Sequence, residues 1–155
     1  MFLYRGNGAI RVLPDVEYQP SADPDSNVVL YGNASTISCW DNLLGDNLVR
    51  VERDKLRVGD MRFAGEDLGI LCVRPRAGSK RGLVGIVGGT SLAGMMIPNT
   101  LPYFSSGVEY PDIVVLSRKA LTTSGQGIRL AGFFANDWGL HGADLYREDA
   151  VSSHP

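Results

Sequence analysis

The sequence predicts an α/β domain with a mainly parallel sheet, in a Rossmann-like or flavodoxin-like layering, and a small antiparallel meander. Short, continuously apolar runs are typical of strands that are buried on both faces of a parallel sheet. Segments with apolar residues at helical spacing lie between these runs, so strand–helix–strand units follow one another. The length of 155 residues is that of one domain, and 44% of the residues are apolar, which is ordinary for a globular protein.

The N-terminal part is predicted to hold a hairpin and a linker. Residues 2–5 and 9–13 have the character of short strands, and the "GNG" between them is a common hairpin turn. Residues 14–27 contain three prolines and three aspartates, which predicts an exposed, linker-like loop. The start, "MFLYRGNGAIRV", lacks the basic stretch and long apolar core of a signal peptide, so we interpret it as a strand of something longer.

The first core strand, "NVVLYGN", is predicted to lead into a helix. Apolar residues recur at helical spacing in "STISCWDNLLGDN", where Asn33 or Ser35 is placed to cap the helix and Gly45 to end it. Residues 48–65 then alternate apolar and charged side chains in three brief runs. This alternation predicts an antiparallel meander with one face in water.

The second half repeats the pattern of strand and helix. The runs "LGILCVRP" and "LVGIVGG" are predicted strands, and "TSLAGMMIPNTLPYF" is a helix interrupted at Pro98. "DIVVLS" and "IRLAGFFAND" are the last strands, with a short helix at "RKALTT" between them. Periodicity is lost after Trp138, so residues 1–138 are expected to form the domain and residues 139–155 a flexible tail.

A parallel sheet would gather the loops that leave its strands at one edge, where open α/β sheets bind ligands. The sequence therefore predicts a polar crevice at that edge. Polar residues also belong in turns and helix caps, so ordinary turn structure is the competing explanation. The residues expected in the crevice are Asn33, Ser35, Arg74, Arg76, Gly88, Gly89, Thr90, Ser91, Asn136 and Asp137.

The stretch "GIVGGTSLAGM", residues 85–95, allows a phosphate-binding loop as one hypothesis. Backbone amides at Gly88 and Gly89 could face an anion at the start of a helix. The glycine spacing is not that of a dinucleotide fingerprint, however, and no lysine follows to make a P-loop. "LYGNASTIS" is similar to the phosphate loop of flavodoxins, so a small phosphate- or nucleotide-binding module, with FMN as the ligand to test, is the first alternative function.

A nucleophile elbow is the second hypothesis for the same stretch. "GTSLA" is one residue from the G-x-S-x-G motif, and Asp112 or Asp137, then His141, follow in the order acid, histidine. A minimal serine hydrolase would use Ser91, Asp137 and His141. The chain is short for such an enzyme, so we favour a structural corner, in which the glycines allow close packing and Thr90 or Ser91 caps the helix.

Six segments, in order, carry a family resemblance: "FLYRGNGAIRVLPD", "NVVLYGNASTISCWDNLL", "VRPRAGS", "GIVGGTSLAGM", "LPYFSSGVEYPDIVVL" and "AGFFANDW". Together they resemble the C-terminal region of bacterial multidomain α/β hydrolases of the prolyl-oligopeptidase family. The similarity runs from Phe2 to about Trp138. In that family the Ser-Asp-His machinery belongs to the preceding domain, and glycine is usual where Ser91 stands and asparagine where Ile37 stands. The resemblance therefore implies no catalytic residue in this chain.

What the resemblance implies is an accessory module of a larger serine hydrolase, a peptidase or esterase. The module would pack on the catalytic domain or restrict access to it, so the expected partner is the preceding α/β-hydrolase domain. The loop "LPYFSSGVEYP" offers Tyr103, Phe104 and Tyr110 as contact residues, with ordinary loop packing as the alternative. The substrate and the cellular location stay open.

Composition excludes several other classes of function. A net charge of −2 gives no electrostatic reason to expect nucleic acid or an acidic membrane as a partner. No apolar run approaches the ~18 residues of a membrane span. Cys39 and Cys72 lie in apolar contexts and are expected as buried thiols, with a disulfide as the alternative. Neither has the spacing of a zinc ligand, and we expect no metal and no cofactor.

Overall fold

The computed structural model describes residues 10–45, 48–103, 105, 107–122 and 126–148. Strands dominate this part of the chain, and its α-helices are two of five residues each. The predicted α/β fold with Rossmann-like or flavodoxin-like layering is therefore wrong. The protein is mainly β, with one mixed sheet and one antiparallel sheet.

The described elements have the following bounds. The strands are β1 Val28–Tyr31, β2 Val49–Glu52, β3 Lys55–Val58, β4 Met61–Ala64, β5 Leu68–Pro75, β6 Leu83–Gly89, β7 Ile113–Ser117, β8 Ile128–Phe133 and β9 Asp144–Arg147. The α-helices are α1 Trp40–Leu44 and α2 Leu92–Met96. Short 3-10 helices span Asp15–Glu17, Pro98–Thr100 and Arg118–Leu121.

The larger sheet has six strands in the order β1-β6-β5-β7-β8-β9. Among its described strands, only β1 and β6 run parallel, and every other neighbouring pair is antiparallel. The connections explain this arrangement. Residues 76–82 join β5 to β6, and a link of that length makes a hairpin, whereas a parallel crossover needs a dozen residues or more.

The predicted meander over residues 48–65 is confirmed as the second sheet, β2-β3-β4. Its alternation of side chains places Val51, Leu56 and Phe63 in register on one buried face. Charged residues occupy the other face. Because side chains alternate along a strand, one face of the meander enters the core and the other faces solvent.

The meander and α1 pack on one face of the six-stranded sheet, which we call the inner face. The predicted helix is present but short, and Gly45 ends it with a positive φ of 47°. Cys39, not Asn33 or Ser35, precedes its first residue. The inner core joins both sheets and α1 through fully buried side chains, which include Trp40, Leu43, Val51, Leu56, Ile70, Ile86, Ile113 and Leu130.

The opposite, outer face of the six-stranded sheet is covered by α2, by the 3-10 helix Pro98–Thr100 and by part of the loop that leads to β7. Ile97 packs there against Val114 and Leu116 of β7. Leu101 and Tyr110 pack around this smaller cluster. Burial on both faces explains why residues 68–73 of β5 and 113–116 of β7 form continuous apolar runs without lying in a parallel sheet.

The two ends of the chain differ from the predictions. Residues 10–13 do not form a strand, and the other half of the expected hairpin lies outside the described residues. The segment 14–27 is fastened rather than free, because buried Arg76 donates hydrogen bonds to the backbone oxygens of Pro20, Asp23 and Ser26 at 2.5–2.8 Å. In the expected tail, Asp144–Arg147 form β9 and pair with β8.

Candidate functional site

The strand directions separate the residues that were expected in one crevice. β1, β6 and β7 finish at one end of the six-stranded sheet, which we call the first end. β5 and β8 run the other way and finish at the opposite, second end. Asn33, Ser35, Gly88, Gly89, Thr90 and Ser91 therefore lie at the first end, and Arg74, Arg76, Asn136 and Asp137 lie at the second.

At the first end, Asn33 ties β1 to β6. Its side-chain nitrogen donates to the carbonyl of Gly89 at 3.0 Å, and its side-chain oxygen accepts from the backbone nitrogen of Ser35 at 3.1 Å. The Ser35 hydroxyl accepts from the backbone of Arg53 in the β2–β3 turn at 3.2 Å. These polar groups attach the β2–β3 turn to the six-stranded sheet, which is a structural role that is common for polar residues in turns.

Thr90 and Ser91 complete the same corner. Thr90 is fully buried, and its hydroxyl donates to the carbonyl of Gly65 at 2.7 Å while it accepts from the backbone nitrogen of Leu68 at 3.2 Å. Ser91 caps α2, as predicted, by accepting from the backbone nitrogen of Gly94 at 3.2 Å. Its hydroxyl also donates to the carbonyl of Glu66. The hydroxyls thus satisfy backbone groups of the fold.

The paired glycines allow the backbone to approach closely. A Cβ atom at Gly89 would overlap the backbone of Gly94 and Met95 in α2, and a Cβ at Gly88 would lie 2.8 Å from the carbonyl oxygen of Gly32. Neither glycine has a positive φ. The predicted role in close strand–helix packing is therefore confirmed for Gly89, whereas Gly88 allows close approach of the chain that follows β1.

The geometry does not favour the phosphate-loop hypothesis. α2 has only five residues, and its Gly94 amide is already bound to the Ser91 hydroxyl. The next amide, of Met95, donates to the carbonyl of Ser91 at 2.9 Å. A flavodoxin-like phosphate site depends on the parallel layering that this fold lacks.

The three residues of the proposed triad are divided between the two ends of the sheet. Ser91 lies at the first end. Asp137 and His141 follow β8 at the second end and are exposed, and Asp137 accepts a hydrogen bond from the backbone nitrogen of Gly139 at 2.8 Å. Asp112, the alternative acid of the predicted triad, precedes β7 at the second end and accepts a hydrogen bond from the backbone nitrogen of Phe134 at 3.0 Å. A Ser-His-Asp relay needs direct hydrogen bonds between its members.

The arginines of the second end are buried structural residues. The Arg74 guanidinium lies 4.6 Å from the ring centre of Phe134 and donates to the carbonyl of Trp138. Arg76 binds the carbonyls of the segment 14–27, as described above. Both side chains are 3% exposed, whereas Asn136 is exposed in the turn after β8. Guanidinium groups that bind backbone carbonyls in this way anchor loops to the sheet.

The fold exposes on its outer side an apolar surface that was not predicted from the sequence. Leu92 and Met96 lie one helical turn apart on α2 and are 81% and 53% exposed, and Tyr31 of β1 is 48% exposed. Tyr103 joins them, because it interacts with Tyr31 and its hydroxyl lies 3.4 Å from Asn99 Oδ1. We call Tyr31, Leu92, Met96 and Tyr103 the outer patch. The sequence signal that could have predicted this surface is the pair Leu92 and Met96, which are four residues apart and so lie on one side of a helix.

The aromatic residues of the expected contact loop have different environments. Tyr103 is half-buried within the outer patch. Burial of the Tyr31 hydroxyl, together with its hydrogen bond to Tyr103, raises the pKa of Tyr31 above the ordinary tyrosine range. Tyr110 packs against the smaller core cluster, and burial raises its pKa as well. Phe104 lies outside the described residues. Loop packing thus accounts for Tyr110, and contact with a partner stays a prediction for Tyr103.

Cys39 and Cys72 are both buried free thiols, and burial raises the pKa of Cys39. Within the described ranges, the side chains of histidine, cysteine, aspartate and glutamate form no group of three that could hold a metal ion. No helix in the part of the chain that the structure describes is long and apolar enough to cross a membrane.

Comparison with protein-family models, with curated proteins and with solved structures finds no match to this chain.

Proposed function

We propose that this chain is a non-catalytic accessory module of a larger serine hydrolase, a peptidase or esterase, and that it packs on the catalytic domain through the outer patch. The observation that carries the proposal is the exposure of Leu92 and Met96 on α2 and of Tyr31 on β1, on the outer side of the six-stranded sheet. The Thr90 and Ser91 hydroxyls at the first end, in contrast, are engaged by the fold.

Physical reasons support docking at the outer patch. Covering apolar surface contributes about 25 cal/mol per Å², and contiguous exposed apolar patches mark interaction sites on soluble proteins. Tyrosine and methionine are both enriched at protein interfaces, and tyrosine buries a large side chain there with little loss of conformational entropy. The outer patch supplies both residue types on a surface formed by α2, the 3-10 helix Pro98–Thr100 and β1.

The nature of the partner follows from the family resemblance. Three of the four outer-patch residues, Tyr31, Leu92 and Tyr103, lie within the segments that carry it. In the proteins that those segments resemble, a hydrolase domain precedes the region. The proposal therefore expects an α/β-hydrolase domain in the reading frame upstream of residue 1, and an upstream sequence that encodes no such domain would contradict it.

The test of docking is made in that full-length protein. Leu92 and Met96 are both replaced by aspartate, and the rate at which a protease cleaves between the two domains is measured. The double variant should be cut faster, because two carboxylates cannot be buried in an apolar interface without a partner. Val16→Asp is the matched control, since Val16 is 80% exposed but lies outside the outer patch. Equal cleavage rates in all three proteins would contradict docking through this surface.

The absence of catalysis is tested on the isolated chain. Incubation with a fluorophosphonate probe and with p-nitrophenyl acetate should give neither labelling nor turnover, because Ser91 and His141 lie at opposite ends of the sheet. Stoichiometric labelling at Ser91 that is abolished by His141→Ala would establish a hydrolase instead.

A further inference from the structure

A groove opens on the outer face of the six-stranded sheet, at its second end. It lies between the loop that leads into β7 and the end of β8, and its volume is about 710 Å³. Ligand-binding sites of proteins have volumes of about 300–1,000 Å³, so the groove is large enough to hold side chains of a ligand. Most of the residues that line it are apolar or aromatic, and they include Val108, Glu109, Tyr110, Pro111, Ala131 and Phe133.

Two exposed aromatic residues extend this surface from the groove toward the edge of the sheet. Phe133 shares the outer face of β8 with Ala131, because Ala131 packs against the smaller core cluster and alternate residues of a strand point the same way. Tyr146 of β9 lies directly opposite Ala131, so it is on the same face and diagonal to Phe133. Phe133 is 53% exposed and Tyr146 is 60% exposed. Both residues therefore present apolar surface to solvent beside the groove.

Two carboxylates flank the exposed aromatic residues. Glu109 lines the groove, and Asp144 of β9 lies directly opposite Phe133 on the outer face. Both acidic residues are exposed, and neither side chain has an ion pair or a hydrogen bond within the described part of the chain. We call the groove, together with Phe133, Asp144 and Tyr146, the acidic groove. It combines an apolar floor with negative charge.

The arginines of the two adjoining strands do not neutralise these carboxylates. Arg129 of β8 forms an ion pair with Glu148 at 3.1 Å. The guanidinium of Arg147 in β9 lies 5.8 Å from the ring centre of Phe63, a residue of the meander, and is therefore on the inner side of the sheet. A ligand that carries positive charge is thus attracted to the acidic groove, because no described cation of the fold competes with it there.

The width of the acidic groove favours a peptide over a small cation. The surface extends from the loop that leads into β7, across β8, to Tyr146 of β9. Adjacent strands are about 4.8 Å apart, so it is about 10 Å wide, which is the length of about three residues of extended peptide. A single small cation would leave most of this apolar surface in water, whereas a peptide covers it with neighbouring side chains.

We propose that the acidic groove binds an extended segment of a partner protein in which arginine or lysine stands beside an apolar residue. The cation of the segment pairs with the carboxylates of Glu109 and Asp144 and lies over an exposed ring, because aromatic faces attract cations. Its apolar neighbour packs against Val108 and Phe133. The acidic groove lies at the β9 edge of the sheet, whereas the outer patch includes β1 at the other edge, so this proposal does not rest on docking to a hydrolase.

The test measures binding of a fluorescein-labelled hexapeptide of alternating arginine and leucine to the whole chain by fluorescence anisotropy. Binding is expected to weaken as salt is added, because exposed charges are screened. The double variant Glu109→Gln/Asp144→Asn should lower the affinity about tenfold, since it removes both charge attractions and keeps the shape of the side chains. Asp60→Asn/Glu66→Gln is the matched control, because it removes the same charge at exposed positions outside the acidic groove.

A second variant tests the aromatic residues. Phe133→Thr/Tyr146→Thr should also lower the affinity about tenfold, because it removes both rings and keeps residues that favour strands. A thermal melt of each variant shows whether it is folded. If the aromatic variant is unfolded at the temperature of the assay, the charge variant, which changes only exposed carboxylates, decides the outcome.

Several results would overturn the proposal. The first is that the arginine–leucine peptide does not bind, or binds the charge variant as tightly as the parent. An equal loss of affinity in the Asp60/Glu66 control would show that net charge is responsible. Equally tight binding of a glutamate–leucine peptide would exclude the charge attraction, and equally tight binding of arginine amide alone would assign the acidic groove to a small cation. A dimer in sedimentation that the aromatic variant abolishes would assign this surface to a second copy of the chain.

Discussion

The two faces of the six-stranded sheet both carry buried apolar side chains but are covered to different depths. On the inner face, the meander and α1 bury Leu43, Leu56 and Ile86 completely. On the outer face, α2 lies close to the sheet but directs Leu92 and Met96 into solvent. The inner face therefore stabilises the domain, whereas the outer layer exposes apolar side chains to solvent. Substitutions should therefore separate stability on one side from association on the other.

The largest difference is expected between two leucines. Leu43→Ala removes a fully buried side chain from the inner core and should lower the free energy of unfolding by about 2–5 kcal/mol. Leu92→Ala, on the outer surface, should change it by no more than about 0.5 kcal/mol. Urea denaturation of both variants measures the contrast. Similar losses in the two proteins would mean that α2 contributes to the core as much as α1 does.

Close packing of α2 on the sheet gives the next largest effect. Gly89→Ala places a Cβ atom against the backbone of Met95 and should destabilise the protein by about 1–3 kcal/mol. Gly85→Ala is the control in the same strand, because its Cβ would meet Val29 Cγ2 at an ordinary 3.5 Å. Denaturant melts compare the two variants. A Gly89→Ala protein as stable as the Gly85→Ala protein would show that α2 does not depend on this contact.

Removal of the Thr90 hydroxyl should destabilise the protein more than removal of the Ser91 hydroxyl. Thr90→Val leaves the carbonyl of Gly65 and the amide of Leu68 without a buried hydroxyl partner, at a cost of about 1–3 kcal/mol. Ser91→Ala removes a helix cap at a less buried position and should cost about 1 kcal/mol or less. Chemical denaturation of the pair tests this order. A larger loss of unfolding free energy in Ser91→Ala than in Thr90→Val would contradict this order and would require a further role for the Ser91 hydroxyl.

The smallest expected effect concerns the attachment of the N-terminal segment beside α1. The Ser38 hydroxyl and amide donate to Asp15 at 2.6 and 2.7 Å, and these hydrogen bonds hold the pKa of Asp15 below its usual 3.8. Their contribution to stability is complete above pH 3.8 and is lost as the pH falls through the lower folded-state pKa. Ser38→Ala should raise the pKa of Asp15, as measured by NMR titration of its carboxyl carbon. An unchanged pKa would show that the contact is not formed in solution.

Local structure was predictable from the sequence where the pattern had one physical cause. Alternation of apolar and charged residues has few explanations besides a half-buried strand, and the meander over residues 48–65 is found as predicted. The corner after β6 was also predictable, because "VGGTS" combines residues that allow close approach with a residue that caps a helix. The outer patch was not predicted as a surface, since an apolar pair on a short helix is ordinarily part of a core.

Strand direction could not be predicted from apolar runs alone. The sequences of β5 and β6 are continuous apolar runs because the sheet is covered on both faces, and the strands of a parallel sheet have the same apolar pattern. The length of the link at residues 76–82 was the signal that distinguishes a hairpin from a crossover. The error in direction also produced the predicted crevice, since only a parallel sheet would have placed Arg74 and Asn136 beside Asn33.

Hydrogen–deuterium exchange tests most directly the claim that the outer face is the surface on which the module docks. Amide exchange is measured in the isolated chain and in the full-length protein with its expected hydrolase domain. Docking predicts slower exchange in the full-length protein around α2 and in the loop that carries Tyr103, with little change in the meander strands β2–β4, which lie on the opposite side of the six-stranded sheet. Unchanged exchange around α2, or slowing confined to another part of the chain, would contradict the account.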